Sequence, residues 1–196
     1  MTLEITLPIN CWAQFESALW PMNTNQILGT VLLITVIIGI AHIAYYHPRL
    51  PEKIAIHFNA QGEADGFASR NVNTALMVGL QTGMAAFLFG IGFLIRLLPA
   101  SLINVPNREY WFAPTRKQES AVKMRTGLLV MAIGTQLFLV GNNHLTVLHN
   151  LGHPGMWWFW PLFVVYLVFI VGFCIWLTAA FRLPKDASTE DEGRSL

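Results

Sequence analysis

Histidine is the residue type in this sequence with the clearest capacity for metal chemistry. His149 and His153 are four positions apart, a spacing that places two imidazoles on one face of a helix, and His57 could approach them from a preceding segment. Neutral imidazole is a ligand for zinc and copper. Gly152 and Pro154 argue against a helix through His153, so the three histidines form only a weak candidate metal site, with a structural role as the alternative.

Acid–base and calcium chemistry have less support. His57, Glu63 and Asp65 are close in sequence, but neither a paired nucleophile nor a phosphate-binding glycine loop accompanies them. The run that starts at Gln61 resembles a calcium loop, yet its twelfth position is Val72 rather than glutamate. The sequence therefore predicts no catalytic residues and no enzyme, and it predicts no cofactor apart from the zinc or copper alternative.

The segments that carry these residues are mostly apolar. The chain is 54% hydrophobic and 12% charged, about half the charged fraction of a typical soluble domain. Four apolar runs are long enough to cross a bilayer, which takes roughly 20 helical residues. They are residues 27–46, 72–98, 126–143 and 157–181. We therefore expect an all-α polytopic membrane protein with four transmembrane helices.

The distribution of positive charge predicts the orientation of these helices. Of the 12 Lys and Arg residues, three lie in residues 47–71 and the other nine lie in residues 96–125 and 182–196. The positive-inside rule then places both termini in the cytoplasm, with 47–71 as an outer loop and 99–125 as a basic inner loop. A net charge of +1 gives no reason to expect nucleic-acid binding.

The two ends of the chain are expected to lie outside a membrane domain formed by residues 27–181. Residues 1–26 are too polar to cross the bilayer and form a cytoplasmic or interfacial segment. Its apolar residues Trp12, Phe15, Leu19 and Trp20 could form a helix on the membrane surface. The alternative is a flexible lead-in. Residues 182–196 are acidic and serine-rich, which predicts a disordered cytoplasmic tail.

Small and amide side chains predict how the helices pack. The candidates are Gly79, Gln81 and Gly83 in the second span, and Gly127, Gly134, Gln136 and Gly141 in the third. Glycine lets helix backbones approach closely in lipid. Gln81 and Gln136 both lie near the middle of their spans, so we expect a hydrogen bond between them, worth about 1 kcal/mol. Packing is favoured over transport because no ionisable residue lies in mid-span.

Both long connections carry local structural signals. Residues 53–58 alternate between apolar and other side chains, which predicts a short strand followed by a turn at residues 59–62. Thr115 and Gln118 have the spacing of a capping box, which predicts that a helix begins there and continues into the third span.

The outer loop also carries a recognisable motif. It reads Leu50-Pro51-Glu52-Lys53-Ile54, then Ile56-His57-Phe58-Asn59, then Gly62-Glu63-Ala64-Asp65-Gly66-Phe67. This pattern resembles a bacterial membrane domain family of unknown function. The same module begins the SdpI-type immunity proteins, which protect producing cells from a secreted toxic peptide and take part in signalling. A second stretch, residues 104–114 with Arg116, is similar to a stand-alone branch of that family.

The resemblance implies a multi-pass protein of the bacterial cytoplasmic (inner) membrane with an outward-facing recognition loop and no catalytic residues. The implied loop residues are His57, Phe58, Asn59, Gly62, Glu63, Asp65 and Gly66. The implied inner-loop residues are Pro106, Asn107, Arg108, Tyr110, Trp111, Pro114 and Arg116. The chain has fewer spans than the immunity proteins, so their C-terminal half has no counterpart here.

Three functions follow, in order of preference. The first is a non-enzymatic accessory subunit or an immunity or signalling component, whose outer loop recognises another membrane protein or an extracytoplasmic peptide. The second is metal binding or delivery by the outer-face histidines. The third is a small transporter. The lipid bilayer is a partner in every case.

Overall fold

A computed structural model describes residues 23–153 and 155–184. The helices are α1 (Thr24–Tyr46), α2 (Arg70–Leu94), α3 (Arg108–Trp111), α4 (Lys117–Asn150) and α5 (Phe159–Ala180). Strands β1 (Lys53–Phe58) and β2 (Ala64–Ser69) lie between α1 and α2. Within the described residues, four helices are long and apolar enough to cross a membrane: α1, α2, α4 and α5. Of the predicted all-α membrane architecture, the coarse part is confirmed: the described chain is mostly helical and has four such helices.

The first helix begins earlier than the apolar run suggested. Asn23 caps it, because the Asn23 side-chain oxygen accepts from the Gln26 N–H at 3.0 Å. The Gln26 side-chain oxygen accepts in turn from the Asn23 N–H at 2.7 Å, which completes a reciprocal capping box. Residues 24–26 thus belong to α1. The proposed interfacial helix in residues 12–20 lies outside the described residues, as does the tail after residue 184.

Two other boundaries differ from expectation. The capping box at Thr115 and Gln118 is wrong: Arg116 is the N-cap of α4, and no side chain bonds the helix start. α4 then continues without a break through 34 residues, so the helical signal of the inner loop and the third apolar run belong to one helix. α2 ends at Leu94, before the apolar run does.

α4 is the central helix of the bundle and packs against α1, α2 and α5. Its glycines recur every seven residues along the face toward α5. A side chain at Gly127 would meet Trp176, one at Gly134 would meet Phe169, and one at Gly141 would meet Leu162. These partners also recur every seven residues, so large side chains of one antiparallel helix fill the gaps left by glycine on the other.

The two mid-span glutamines are fully buried but do not bond side chain to side chain. The Gln136 side-chain N–H donates to the backbone carbonyl of Gln81 at 2.7 Å, which links α4 to α2. The Gln81 amide has no partner among the described residues. It lies so close to Gly39 of α1 that any side chain at that position would overlap it. Three helices therefore meet around Gln81.

The glycines of α2 behave differently from those of α4. A side chain added at Gly79 or Gly83 would meet no atom of the described chain within 4 Å. Both glycines face away from the helix contacts that hold this bundle together. Their predicted packing role remains a prediction, and it would require a second protein chain.

The inner loop forms a small hydrophobic core of its own against the end of α5. Its centre is Phe181, which is 0% exposed, and the cluster includes Ile103, Phe112 and Ala121. Two side-chain N–H groups, from Asn107 and Trp111, donate to the Phe181 carbonyl at 2.9 Å. Both bonds satisfy one backbone oxygen, of the kind that the end of a helix otherwise leaves unpaired.

Candidate functional site

The motif between the first two spans folds into an antiparallel β-hairpin of β1 and β2, and the predicted strand at Lys53–Phe58 is present. Pairing is regular at the base, but Ile56 is an extra residue in β1 and Asp65 is an extra residue in β2. These irregularities lie on either side of the His57–Gly66 pair. A Cβ at Gly66 would lie 2.8 Å from the His57 Cβ, so only glycine fits beside His57.

The tip of the hairpin is organised by Asn59. Its side-chain oxygen accepts from the N–H groups of Gln61 and Glu63 at 3.0 and 2.9 Å. Its side-chain N–H donates to the Glu63 carboxylate at 3.0 Å. Gly62 adopts a φ of +81°, a left-handed conformation that favours glycine. Asn59, Gly62 and Glu63 therefore fix the shape of the tip.

The hairpin is held firmly on the end of the helix bundle. The Asn150 side chain donates to the Ala55 carbonyl at 2.9 Å and accepts from the Ala55 N–H at 2.7 Å. The Asn150 side chain thus makes the two backbone hydrogen bonds to Ala55 that a neighbouring strand would otherwise make. Beneath this contact Ile54, which is 1% exposed, packs with Leu50 and Val147 in a small core.

Two hydrogen bonds from α2 fix the base of the hairpin. The Arg70 N–H donates to the Glu52 carbonyl at 2.9 Å. The Arg70 guanidinium donates to the Leu50 carbonyl at 3.0 Å. Arg70 is one of the three positive residues on this side of the bundle, and its contacts are structural.

A cleft of about 380 Å³ opens between the hairpin, α4 and α5. Its apolar side is formed by Met156, Phe159 and Trp160, and its polar side by Asn142 and Thr146. The hairpin contributes five motif residues to the wall: Ile56, His57, Phe58, Asn59 and Gly62. The Trp160 indole N–H donates to the Ala60 carbonyl at 3.3 Å, which joins the tip to the start of α5. Concave sites with mostly apolar walls and a few polar groups are typical of binding sites.

His57 is an exposed polar group of the motif. Its Nδ1 lies 2.5 Å from an Asp65 carboxylate oxygen, and the two side chains are 73% and 47% exposed. Asp65 therefore orients the ring and leaves Nε2 free of described contacts. His57 can offer a hydrogen bond to a ligand at the mouth of the cleft.

The structure does not assemble the histidines suggested for metal binding. α4 ends at Asn150, so His149 and His153 do not share a helical face. His149 instead stacks edge-on against Phe58, with ring centroids 4.8 Å apart. Within residues 23–153 and 155–184, no group of three His, Cys, Asp or Glu side chains is placed to hold a metal ion.

The structure pairs two histidines that sequence reasoning did not connect. The His42 Nε2 lies 3.0 Å from the His144 Nδ1, and Asn143 lies 3.4 Å from the other nitrogen of His42. Tyr46 packs on His42 with a centroid distance of 4.8 Å. His42 lies near the end of the first apolar run and His144 directly after the third, and this is the sequence signal that could have linked them. The contact joins α1 to α4 below the hairpin.

The inner-loop motif lies at the opposite end of the bundle from the hairpin. Asn107, with a φ of 52°, and Trp111 bond the end of α5, as described above. The Arg116 guanidinium lies over the Tyr110 ring, 4.0 Å from its centroid. The Arg108 guanidinium is 3.5 Å from the Ser101 carbonyl, and Pro106 and Pro114 lie in the turns on either side of α3. These residues build the loop itself.

Comparison with known proteins identifies the same region. Residues 33–82 match a family model described as a domain of unknown function (DUF1648). The match covers most of α1, the hairpin and the first half of α2, and it does not reach the inner loop. No curated protein and no solved structure matches the chain. Part of this chain is therefore similar to a family without an assigned function, and the link to SdpI-type immunity proteins stays an expectation.

Proposed function

We propose that this protein is a non-enzymatic, multi-pass protein of the bacterial cytoplasmic membrane. Its hairpin cleft recognises a peptide or an exposed segment of another membrane protein. It would act as an accessory subunit or as an immunity or signalling component. Both termini are in the cytoplasm in this proposal, and the hairpin is on the outer face.

The observation that carries the proposal is the convergence of motif residues on one rigid cleft. Asn59 and Gly62 shape the tip, while Asn150 fixes the strands to α4. A surface held in this way loses little conformational freedom when a ligand binds, which favours affinity. His57 and Trp160 then present one polar and one aromatic group at the opening, and aromatic residues often dominate recognition surfaces.

The composition of the cleft favours a peptide over a charged metabolite. No Lys or Arg lines it, so it offers no fixed positive charge to a phosphate or carboxylate. Its aromatic wall suits an apolar side chain. Asn142 and Thr146 provide polar groups for a peptide backbone.

Charge distribution supports the proposed orientation. The helix ends beside the inner loop carry Arg96, Arg125 and Arg182, and the loop adds further Lys and Arg residues. The hairpin end carries only Arg49, Lys53 and Arg70. The positive-inside rule therefore favours the hairpin outside.

Site-specific photocrosslinking in native membranes tests the proposal. A photoreactive residue at His57 should give one discrete adduct that copurifies in mild detergent. The same residue at Phe67 is the matched control, because Phe67 is on the hairpin and 55% exposed but does not line the cleft. Trp160→Ala should reduce the His57 adduct severalfold, because it removes an aromatic wall.

Two outcomes would contradict the proposal. The absence of any adduct at His57, in protein that elutes normally on size exclusion, would argue against a recognition surface. Equal adducts at His57 and Phe67 would indicate nonspecific contact. Stoichiometric zinc or copper in untagged protein, lost on His149→Ala, would instead support the metal-binding alternative.

A further inference from the structure

The end of the bundle opposite the hairpin holds two cavities that share one arginine. The first, of about 570 Å³, is the more polar of the two and lies between the N-terminal end of α1, the C-terminal end of α2 and the start of α4. Arg96, Arg125, Gln118 and Thr126 line it. The second, of about 620 Å³, is an apolar groove between α1 and α2. Arg125 lines both cavities.

Arg125 is built into this position by its neighbours. Gly92 of α2 leaves room for its stem, since a Cβ at Gly92 would lie 3.4 Å from the Arg125 Cγ. The guanidinium lies 5.7 Å from the centroid of the Phe89 ring. Thr126 donates to the Asn25 side-chain oxygen at 2.8 Å, which ties α1 to α4 beside the cavity.

The charge of Arg125 is uncompensated in the described part of the chain. Its Nε is buried and has no hydrogen-bond partner there. The ion pair found among those residues, His57 with Asp65, lies at the other end of the molecule. Leaving a buried guanidinium N–H without an acceptor costs free energy. A bound anion would supply both the acceptor and a compensating negative charge. Arg96, on the rim of the polar cavity, adds a second positive charge.

The adjoining groove identifies the kind of anion. Its wall is formed by Gly29, Leu33, Val36, Ala86 and Phe89, among others. It runs from Arg125 along α1 and α2 toward the middle of the membrane-crossing helices. A free phosphate would occupy only the polar cavity and leave this groove unfilled. A molecule with a phosphate at one end and a long apolar chain at the other fills both.

We propose that this pair of cavities binds an anionic phospholipid. The headgroup phosphate accepts hydrogen bonds from Arg125 and contacts Arg96, and one acyl chain lies in the groove between α1 and α2. Basic pockets between transmembrane helices are suited to anionic headgroups. The proposal is independent of the hairpin cleft, because the two sites are at opposite ends of the bundle.

Native mass spectrometry of the full chain in mild detergent tests this site. The wild-type protein should retain one phosphatidylglycerol, bind phosphatidylcholine about tenfold more weakly, and show no saturable binding of inorganic phosphate. Arg125→Gln should lower phosphatidylglycerol affinity about tenfold, the effect of losing one charge-assisted hydrogen bond. Lys117→Gln is the matched control, because it removes a positive charge at the start of α4 without touching either cavity.

A second variant probes the groove and leaves the arginines unchanged. A Cβ at Gly29 would meet only Phe89, at 3.9 Å, so Gly29→Phe should fill the groove without disturbing the bundle. It should weaken phosphatidylglycerol binding severalfold. Thermal melting of the wild type gives a readout that needs no variant: phosphatidylglycerol should raise Tm more than phosphatidylcholine does.

Several results would overturn the proposal. Equal binding of the two lipids would show that the headgroup is not recognised, and unchanged binding in Arg125→Gln would remove the arginine from the site. Saturable binding of phosphate alone, unaffected by Gly29→Phe, would identify an anion site instead.

Discussion

At the scale of single residues, asparagine side chains stabilise the places where helices and strands end or meet. Asn23 caps a helix, Asn59 closes a turn, and Asn150 joins a strand to a helix. Each bonds backbone groups, and Asn59 also donates to the Glu63 carboxylate. Because backbone N–H and C=O groups must be satisfied at helix ends and turns, these amides act where regular structure stops.

Asn150 gives a direct test at this scale. Asn150→Ala removes both bonds to Ala55, which is 3% exposed. Each buried group left without a partner costs about 1–3 kcal/mol. We expect the hairpin to open locally while the helices remain folded. Hydrogen exchange should show the β1 amides losing protection by one to two orders of magnitude.

Gln61→Ala is the matched control for this prediction. Gln61 is in the hairpin tip, and it takes part in the tip's bonds through its backbone N–H. Exchange in β1 should therefore be unchanged. If Asn150→Ala left β1 protected to the same degree as the control, the pairing with Ala55 would not be what fixes the hairpin.

At the scale of elements, the contact between α4 and α5 depends on matching positions: glycines of α4 lie opposite large side chains of α5. No residue of α5 is buried. Apart from hydrogen bonds at its two ends and one between Thr135 and Tyr166, this helix is held by side-chain packing. Glycine at every seventh position of α4 faces Leu162, Phe169 and Trp176 of α5. In lipid such close packing replaces the hydrophobic effect as the force that joins helices.

Gly134→Leu tests this contact. The new side chain would occupy the space of the Phe169 ring, and overpacking of this kind costs about 1–3 kcal/mol. We expect a lower melting temperature in detergent and separation of α5 from α4, seen as new protease sensitivity at residues 151–158. Adding Phe169→Ala should restore much of the stability, because it makes room for the leucine.

Gly83→Leu is the control for the same change of size. No described atom lies within 4 Å of a Cβ at Gly83, so the isolated bundle should melt as the wild type does. Equal losses in the two variants would show that added bulk, rather than the α4–α5 contact, is responsible. A smaller complex size with Gly83→Leu alone would indicate that this glycine packs against a second protein chain.

At the scale of the whole molecule, the two ends of the bundle have different chemistry. One end holds the hairpin and its cleft, with little positive charge. The other holds the inner loop, the end of α5 and the two arginine-lined cavities. We expect the first end to meet the cell exterior and the second to meet the cytoplasmic leaflet, whose anionic lipids attract Lys and Arg.

Cysteine accessibility in intact cells tests this orientation. In a background with Cys11→Ser and Cys174→Ser, a cysteine at Gln61 should react with a membrane-impermeant maleimide. A cysteine at Gln118 should react only after the cells are lysed. The reverse pattern would contradict the orientation, and it would place the hairpin in the cytoplasm.

Local patterns were sufficient to predict the four long helices and the first strand. Four long apolar runs require helices, since lipid offers no partner for backbone groups, and alternation at Lys53–Phe58 indicated a strand. The heptad of glycines marked a packing face, although its partners on α5 were not apparent. A capping signal at Thr115 was misleading, because two or three residues of sequence are weak evidence for where a helix begins.

Contacts between distant residues were decided only by the tertiary structure. Amino-acid sequence determined that this chain has four helices long and apolar enough to cross a membrane, because composition and run length are local properties. It could not show that Asn150 pairs with Ala55, that His42 meets His144, or that Arg125 lies between a polar cavity and an apolar groove. These contacts join residues about a hundred positions apart or bring three helices together, and they depend on how the helices pack against one another.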